Sequence, residues 1–185
     1  MPRRPKRSVR RPVQSRSKAT VDAIVEAAAQ VLREHGLAET TTARIAERAG
    51  VSIGTLYQYF PNKEALYEHL GRDLIDRMEA SDAAVLASIP REGTLAEISA
   101  ALIDGLLAVH AIDPSLQQQL ARYELMNGLT HLQAHQDRQV ALVKLALQSR
   151  PALVREVDPD IAAPLLILAF GGILVLNGIM DGDRT

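Results

Sequence analysis

The chain has 185 residues, 47% hydrophobic but only 3% aromatic, with no cysteine and a formal net charge of -1. A core of Ala, Leu, Ile and Val at this length suits helix packing in one large or two smaller domains. The lack of cysteine excludes a disulfide framework and a thiolate metal site, and is compatible with a reducing cytoplasm.

The near-neutral total conceals a division. Met1 to Lys63 carries 12 Lys and Arg against 5 Asp and Glu, a balance of +7, whereas Glu64 to Thr185 carries 9 against 17, a balance of -8. The first part suits phosphates and the second would be repelled by them. Within the first part, residues 1–17 hold Arg3, Arg4, Lys6, Arg7, Arg10, Arg11 and Arg16 with no acidic residue, broken by Pro2, Pro5 and Pro12. This composition predicts a disordered basic arm able to follow phosphates or enter a minor groove, with a solvated tail as the alternative. No apolar segment follows the charges, so it does not read as a secretory signal.

Val21, Ile24, Val25, Ala28, Val31 and Leu32 form one apolar stripe ended by Gly36, which predicts a first helix from Lys18 to His35. A second helix starts near Thr41 or Thr42, where a threonine hydroxyl can cap it, and carries Ile45, Ala46 and Ala49 inward. Gly50 supplies a tight turn, and Ser52 caps a third helix with Leu56 and Phe60 inward. Residues 18–63 are therefore expected to form a helix-turn-helix DNA-binding domain whose second helix can enter a major groove.

The outward set is Ile53, Thr55, Tyr57, Gln58 and Tyr59. Thr55 and Gln58 have the chemistry to meet base edges, Ile53 can touch a thymine methyl, and Gly54 allows close approach to the backbone. Tyr57 and Tyr59 suit phosphates, unless one packs on the next helix. Arg44 is a further candidate contact, or else a solvated surface residue. Gly50-Val51-Ser52-Ile53-Gly54 also satisfies G-x-S-x-G, the nucleophile elbow of a serine hydrolase. That elbow needs a strand before the serine, and the charged ARIAERA preceding it reads as helix.

Beyond Lys63, a fourth helix is expected over Glu64 to Ser88, broken by Pro90 to Gly93. Thr94 with Glu97 forms a capping box for a fifth helix carrying Leu95, Ile98, Leu102, Leu106 and Val109. Asp113-Pro114 opens a sixth, which ends at Asn127-Gly128, and a seventh runs to Ser149 before Pro151. Ile161 to Met180 holds no charged residue, which is long enough to span a bilayer. Pro164, Gly171, Gly172 and Asn177 interrupt it and its flanks are acidic, so burial against a second subunit is the preferred reading. Asp137 to Ser149 and Asp160 to Met180 are accordingly expected to form a four-helix dimer interface. His131 and His135 share a helical face, yet no carboxylate accompanies them at zinc-site spacing, so no metal is expected.

The run TTARIAERAGVSIGTLYQYFPNKEALY resembles the DNA-binding segment of the tetracycline-repressor (TetR) family, and the resemblance is specific over Val21 to Tyr67. It implies an all-α protein, with an N-terminal three-helix helix-turn-helix followed by a helical ligand-binding and dimerisation domain over residues 64–185. It further implies a cytoplasmic homodimeric repressor, not an enzyme and without a cofactor, that binds double-stranded DNA at an inverted repeat and releases it on binding a small-molecule effector. An activator or a ligand-independent DNA-binding protein is the alternative. The resemblance puts DNA contacts on Thr42, Ser52 and Lys63, makes the fourth helix a pivot, and locates the pocket among helices four to seven. His110, Tyr123, Met126 and Asn127 are the candidate pocket residues there, and the scarcity of charge between Leu95 and Asn127 favours an apolar or weakly polar effector.

Overall fold

The computed structural model describes residues 11–89, 92–128, 131–149 and 158–169. All regular structure among them is helical: α1 (Arg11–Glu39), α2 (Thr42–Ala49), α3 (Ile53–Tyr59), α4 (Lys63–Ser88), α5 (Leu95–His110), α6 (Pro114–Asn127) and α7 (His131–Gln148), with a further helical run over 159–169. The chain divides into two compact units, Met1–Leu70 and Gly71–Thr185. The division falls inside α4 rather than after Lys63, because the first turns of α4 bury Leu66, Tyr67 and Leu70 within the first unit.

In the first unit, Ile24, Ala28, Val31 and Leu32 of α1, Ile45 and Ala46 of α2, Leu56 of α3 and Phe60 are all buried. The expected α1 start at Lys18 is corrected to Arg11, so residues 11–17 are helix rather than arm. Pro12 permits this because a proline in the first turn gives up an N–H that has no intrahelical partner. The rest of the expected arm, residues 1–10, lies outside the described residues. Gly36 does end the regular turn of α1: its φ of 68° and ψ of -179° belong to a region open essentially to glycine. Buried Thr40 closes the bend by donating its hydroxyl to the Gly36 carbonyl at 2.6 Å.

In the second unit the expected caps are present. Thr94 Oγ1 accepts from Glu97 N at 3.3 Å while the Glu97 carboxylate accepts from Thr94 N at 2.8 Å, closing the capping box of α5. Asp113 caps α6 ahead of Pro114, and Gly128 ends it in the left-handed region. Gly105 has a packing reason: a Cβ there would lie 2.1 Å from Val85 Cγ1, so α5 crosses α4 closer than any side chain allows. Val143 of α7 packs with Ala163 and Ile167 of the run 159–169, and Leu106, Val140 and Leu147 close around them. That run passes through Pro164 without interruption, contrary to expectation. Pro151 and the segment after Ala169 fall outside the described residues, so the expected helix Asp160 to Met180 is seen only in its first part.

Candidate nucleic-acid interface and effector cavity

The helix-turn-helix is set by three local devices. Arg44 N donates to Thr41 Oγ1 at 3.2 Å, so Thr41 caps α2 from the position before its first residue, Thr42. Gly50, at φ 67°, ends it, with its N–H on the Glu47 carbonyl at 3.1 Å. Thr55 N then donates to Ser52 Oγ at 3.0 Å and opens α3. Each cap satisfies a backbone group that would otherwise be left without a partner.

The outer face of α3 carries Ile53 and Tyr57, 47% and 48% exposed and one turn apart, with exposed Gly54 and Gln58 beside them. The Tyr57 hydroxyl lies 3.1 Å from Thr42 Oγ1, joining α3 to the start of α2. Together with Thr40, Thr41, Pro61, Asn62, Lys63 and Glu64 these two residues line a shallow hollow. Asn62 Oδ1 accepts from Ala65 N at 2.8 Å and caps α4, which puts Lys63 at that helix's first position.

Three candidates are held differently from the sequence expectation. Thr55 and Tyr59 are half-buried, because residues i and i+4 share a face and theirs flanks the buried Leu56. Ser17 Oγ donates to the Tyr59 hydroxyl at 3.3 Å, and the hydroxyls of Thr55 and Ser52 lie 2.8 Å apart. Arg44 turns to the end of α1, pairing with the Glu39 carboxylate at 3.2 Å and donating to the Glu39 carbonyl at 3.2 Å. Arg48 was missed by sequence reasoning. Its guanidinium clamps the Glu34 carboxylate at 2.8 and 2.5 Å, and holds that carboxyl below the usual carboxylate range. The partners are 14 residues apart on different helices, so no local pattern announced the pair. The hydrolase elbow is not formed: Ser52 follows a helix and a turn, and there is no strand among the described residues.

The second unit contains a cavity of about 40 Å³ between α4, α5, α7 and the run 159–169. Val85, Leu86, Leu102, Leu106, Leu142 and Val143 supply most of its wall, and Asp82 and Gln139 are its polar members. Gln139 Nε2 donates to Asp82 Oδ1 at 3.2 Å. His135, one turn before Gln139, is 3% exposed; its Nε2 stands 3.6 Å from Asp82 Oδ2 and neither ring nitrogen has a hydrogen-bond partner. Burial pushes the Asp82 carboxyl up and the His135 and His110 imidazoles down.

None of the expected pocket residues lines this cavity. His110 and Tyr123 are half-buried, Met126 is 73% exposed, and exposed Asn127 spends its amide on the Tyr123 carbonyl at 2.7 Å. The cavity's polar lining is Asp82 of α4 and Gln139 of α7, the latter on the face that also presents Val143 and Ala146. Among the described residues no three His, Asp or Glu side chains are grouped to hold a metal.

Residues 24–70 match the family model for bacterial regulatory proteins of the tetR family. Over this segment the chain is similar to the TetR family. This TetR-type segment is 48% identical over 52 residues to the nucleoid occlusion factor SlmA of Haemophilus influenzae, covering 26% of this chain and 24% of that protein. It is 40% identical over 60 residues to the fatty acid metabolism regulator protein of Bacillus subtilis, covering 30% and 31%. The chain thus spans under a third of the length of these two relatives. The fold likeness reaches further than the sequence likeness: the fatty acid degradation regulator FadR from Bacillus halodurans superposes with a TM-score of 0.66 at 23% identity, over 89% of this chain and 86% of that one. The likeness in fold therefore extends well beyond residues 24–70.

Proposed function

We propose that this chain is a homodimeric transcriptional repressor that binds an inverted-repeat operator and leaves it when a small apolar or weakly polar effector occupies the second unit. The observation that carries this reading is the exposed face of α3, with Ile53, Gly54, Tyr57 and Gln58 presented by a capped helix on a segment whose charge balance is +7. Gln58 offers an amide that pairs with adenine, Ile53 a methyl contact for thymine, and Thr42, Tyr57 and Lys63 a phosphate-binding rim. Ser52 and Thr55 serve first as the cap, and Arg44 and Tyr59 hold α2 and α3 in position.

A twofold axis would set two such helices about 34 to 36 Å apart, one turn of the duplex. Support for a dimer comes from Leu145 on α7 and from Ile161, Leu165 and Leu168 of the run 159–169, large apolar side chains left exposed in the single chain. Effector control then requires a few kcal/mol of differential binding between the DNA-competent state and an incompetent one.

Genomic-fragment selection followed by footprinting at a stated salt concentration tests the reading. A protected inverted repeat is expected, and a Tyr57→Ala, Gln58→Ala variant of unchanged helicity should lose at least about tenfold in affinity, since one base-reading contact contributes roughly 1–3 kcal/mol. Diffuse protection that is equally strong in the variant would mean that charge alone holds the DNA.

A further inference from the structure

We propose that Arg16 and Lys18, near the start of α1, grip the sugar-phosphate strand on one side of the major groove while Lys63 grips the strand on the other, so that α3 lies between two cationic rims. The inference deepens the DNA-binding part of the proposed function and rests on that reading for its operator.

The placement follows from the two tyrosines of α3. Successive side chains of a helix turn by about 100°, so Tyr57 and Tyr59 leave α3 on opposite flanks. On the first flank the Tyr57 hydroxyl meets Thr42 Oγ1 at 3.1 Å, and Lys63 shares their hollow. On the second, the Tyr59 hydroxyl accepts from Ser17 Oγ at 3.3 Å, which brings the early part of α1 against the end of α3. Arg16 and Lys18 stand on either side of Ser17 in sequence and are both exposed. A helix lodged in a major groove about 12 Å wide has a phosphate strand along each flank, and cations on both flanks match it.

Charge pairing selects the same residues. Among the described residues neither Arg16 nor Lys18 has a carboxylate partner; Asp22, one turn past Lys18 on α1, is exposed and forms no ion pair with it. Arg33, Arg44 and Arg48, by contrast, are engaged: Arg33 with Glu26 at 4.0 Å, Arg44 with Glu39 at 3.2 Å, and Arg48 with Glu34 through two hydrogen bonds. Three of the five carboxylates between Met1 and Lys63 are used in this way, so their arginines bring no net charge to a phosphate. Arg16, Lys18 and Lys63 keep theirs. Contacts of this kind fix how the protein sits on the duplex without reading its sequence, so the second rim strengthens binding to any DNA.

The test is the salt dependence of binding by the full chain, measured by fluorescence anisotropy from about 50 to 200 mM salt on a mixed-sequence duplex and on the protected operator fragment. Each phosphate contact removed should shallow the plot of log K against log salt by about 0.9, so Arg16→Gln, Lys18→Gln should shallow it by about 1.8 per subunit on both duplexes alike. Arg48→Gln removes a charge from the same unit and should leave the slope as it is. An unchanged slope in the double variant, or as large a change in Arg48→Gln as in Arg16→Gln, overturns the proposal. Both residues of the double variant are exposed, and unchanged helicity confirms that it folds. The mixed-sequence duplex keeps the two readings apart. A protein that protects no inverted repeat, yet loses slope in the double variant, would retain the rim and lose the operator; a protected repeat with an unchanged slope would do the reverse.

Discussion

At the scale of single residues, the structure assigns side chains of similar chemistry to different tasks. Tyr57 is exposed with its hydroxyl on Thr42, while Tyr59, two positions on, turns to Ser17 of α1. The difference is angular: two residues along a helix rotate a side chain by more than half a turn. Through its burial, His135 makes stability depend on pH. Its folded pKa lies below the ordinary value of about 6.5, as does that of His110, so below that pH the unfolded chain binds more protons and stability falls. Asp82 works in the opposite sense: its raised pKa lets the folded state take up a proton first, which returns some stability as pH falls through that value. Thermal unfolding followed from pH 7 to pH 5 should show a falling midpoint, with a shallower fall in His135→Gln. Equal slopes in the two proteins would remove the assigned role of His135.

At the scale of elements, two glycines inside helices have different reasons. A Cβ at Gly105 would meet Val85 Cγ1 at 2.1 Å and Val85 Cβ at 2.9 Å, so no rotamer of Val85 clears it. A Cβ at Gly54 would meet nothing closer than Ser52 Oγ at 3.8 Å. Replacing a helical glycine by alanine returns about 1 kcal/mol of propensity, whereas overpacking costs about 1–3 kcal/mol. Gly105→Ala should therefore lower the thermal midpoint by several degrees, and Gly54→Ala should hold or raise it while weakening operator binding. Within the protein nothing demands glycine at residue 54, which fits an α3 whose crowding comes from outside. A higher midpoint in Gly105→Ala would show that α4 and α5 separate freely.

At the scale of the whole molecule, the proposed dimer rests on the apolar face of the run 159–169. Ile161, Leu165 and Leu168 follow the i, i+4, i+7 spacing of one helical face and are each about three-fifths exposed in the single chain. A Leu165→Glu substitution would put a charge on that face, and the proposed dimer should dissociate to monomer by analytical ultracentrifugation at micromolar concentration. Operator affinity should fall with it, since one head makes half the contacts. A dimer that survives the substitution would move the interface elsewhere.

Much of this molecule was legible because its signals are local. The apolar stripe of α1, the turn at Gly50, the caps at Ser52, Thr94 and Asp113, and the stop at Gly128 each act within about one helical turn, so residue order determined the helix-turn-helix and most helix ends, though not the start of α1. The outward face of α3 was legible only in part, since which side of a seven-residue helix faces outward depends on the helices beneath it, and this turned Thr55 and Tyr59 away from the open face. The cavity was out of reach of residue order. Asp82 and Gln139 are 57 positions apart and meet through the packing of α4 and α7, and the residues expected in the pocket, Met126 and Asn127, stand outside it. Local hydrogen bonding wrote the elements into the sequence; only long-range packing decided which polar groups were left buried together, because burial is a property of neighbours that the chain order does not contain.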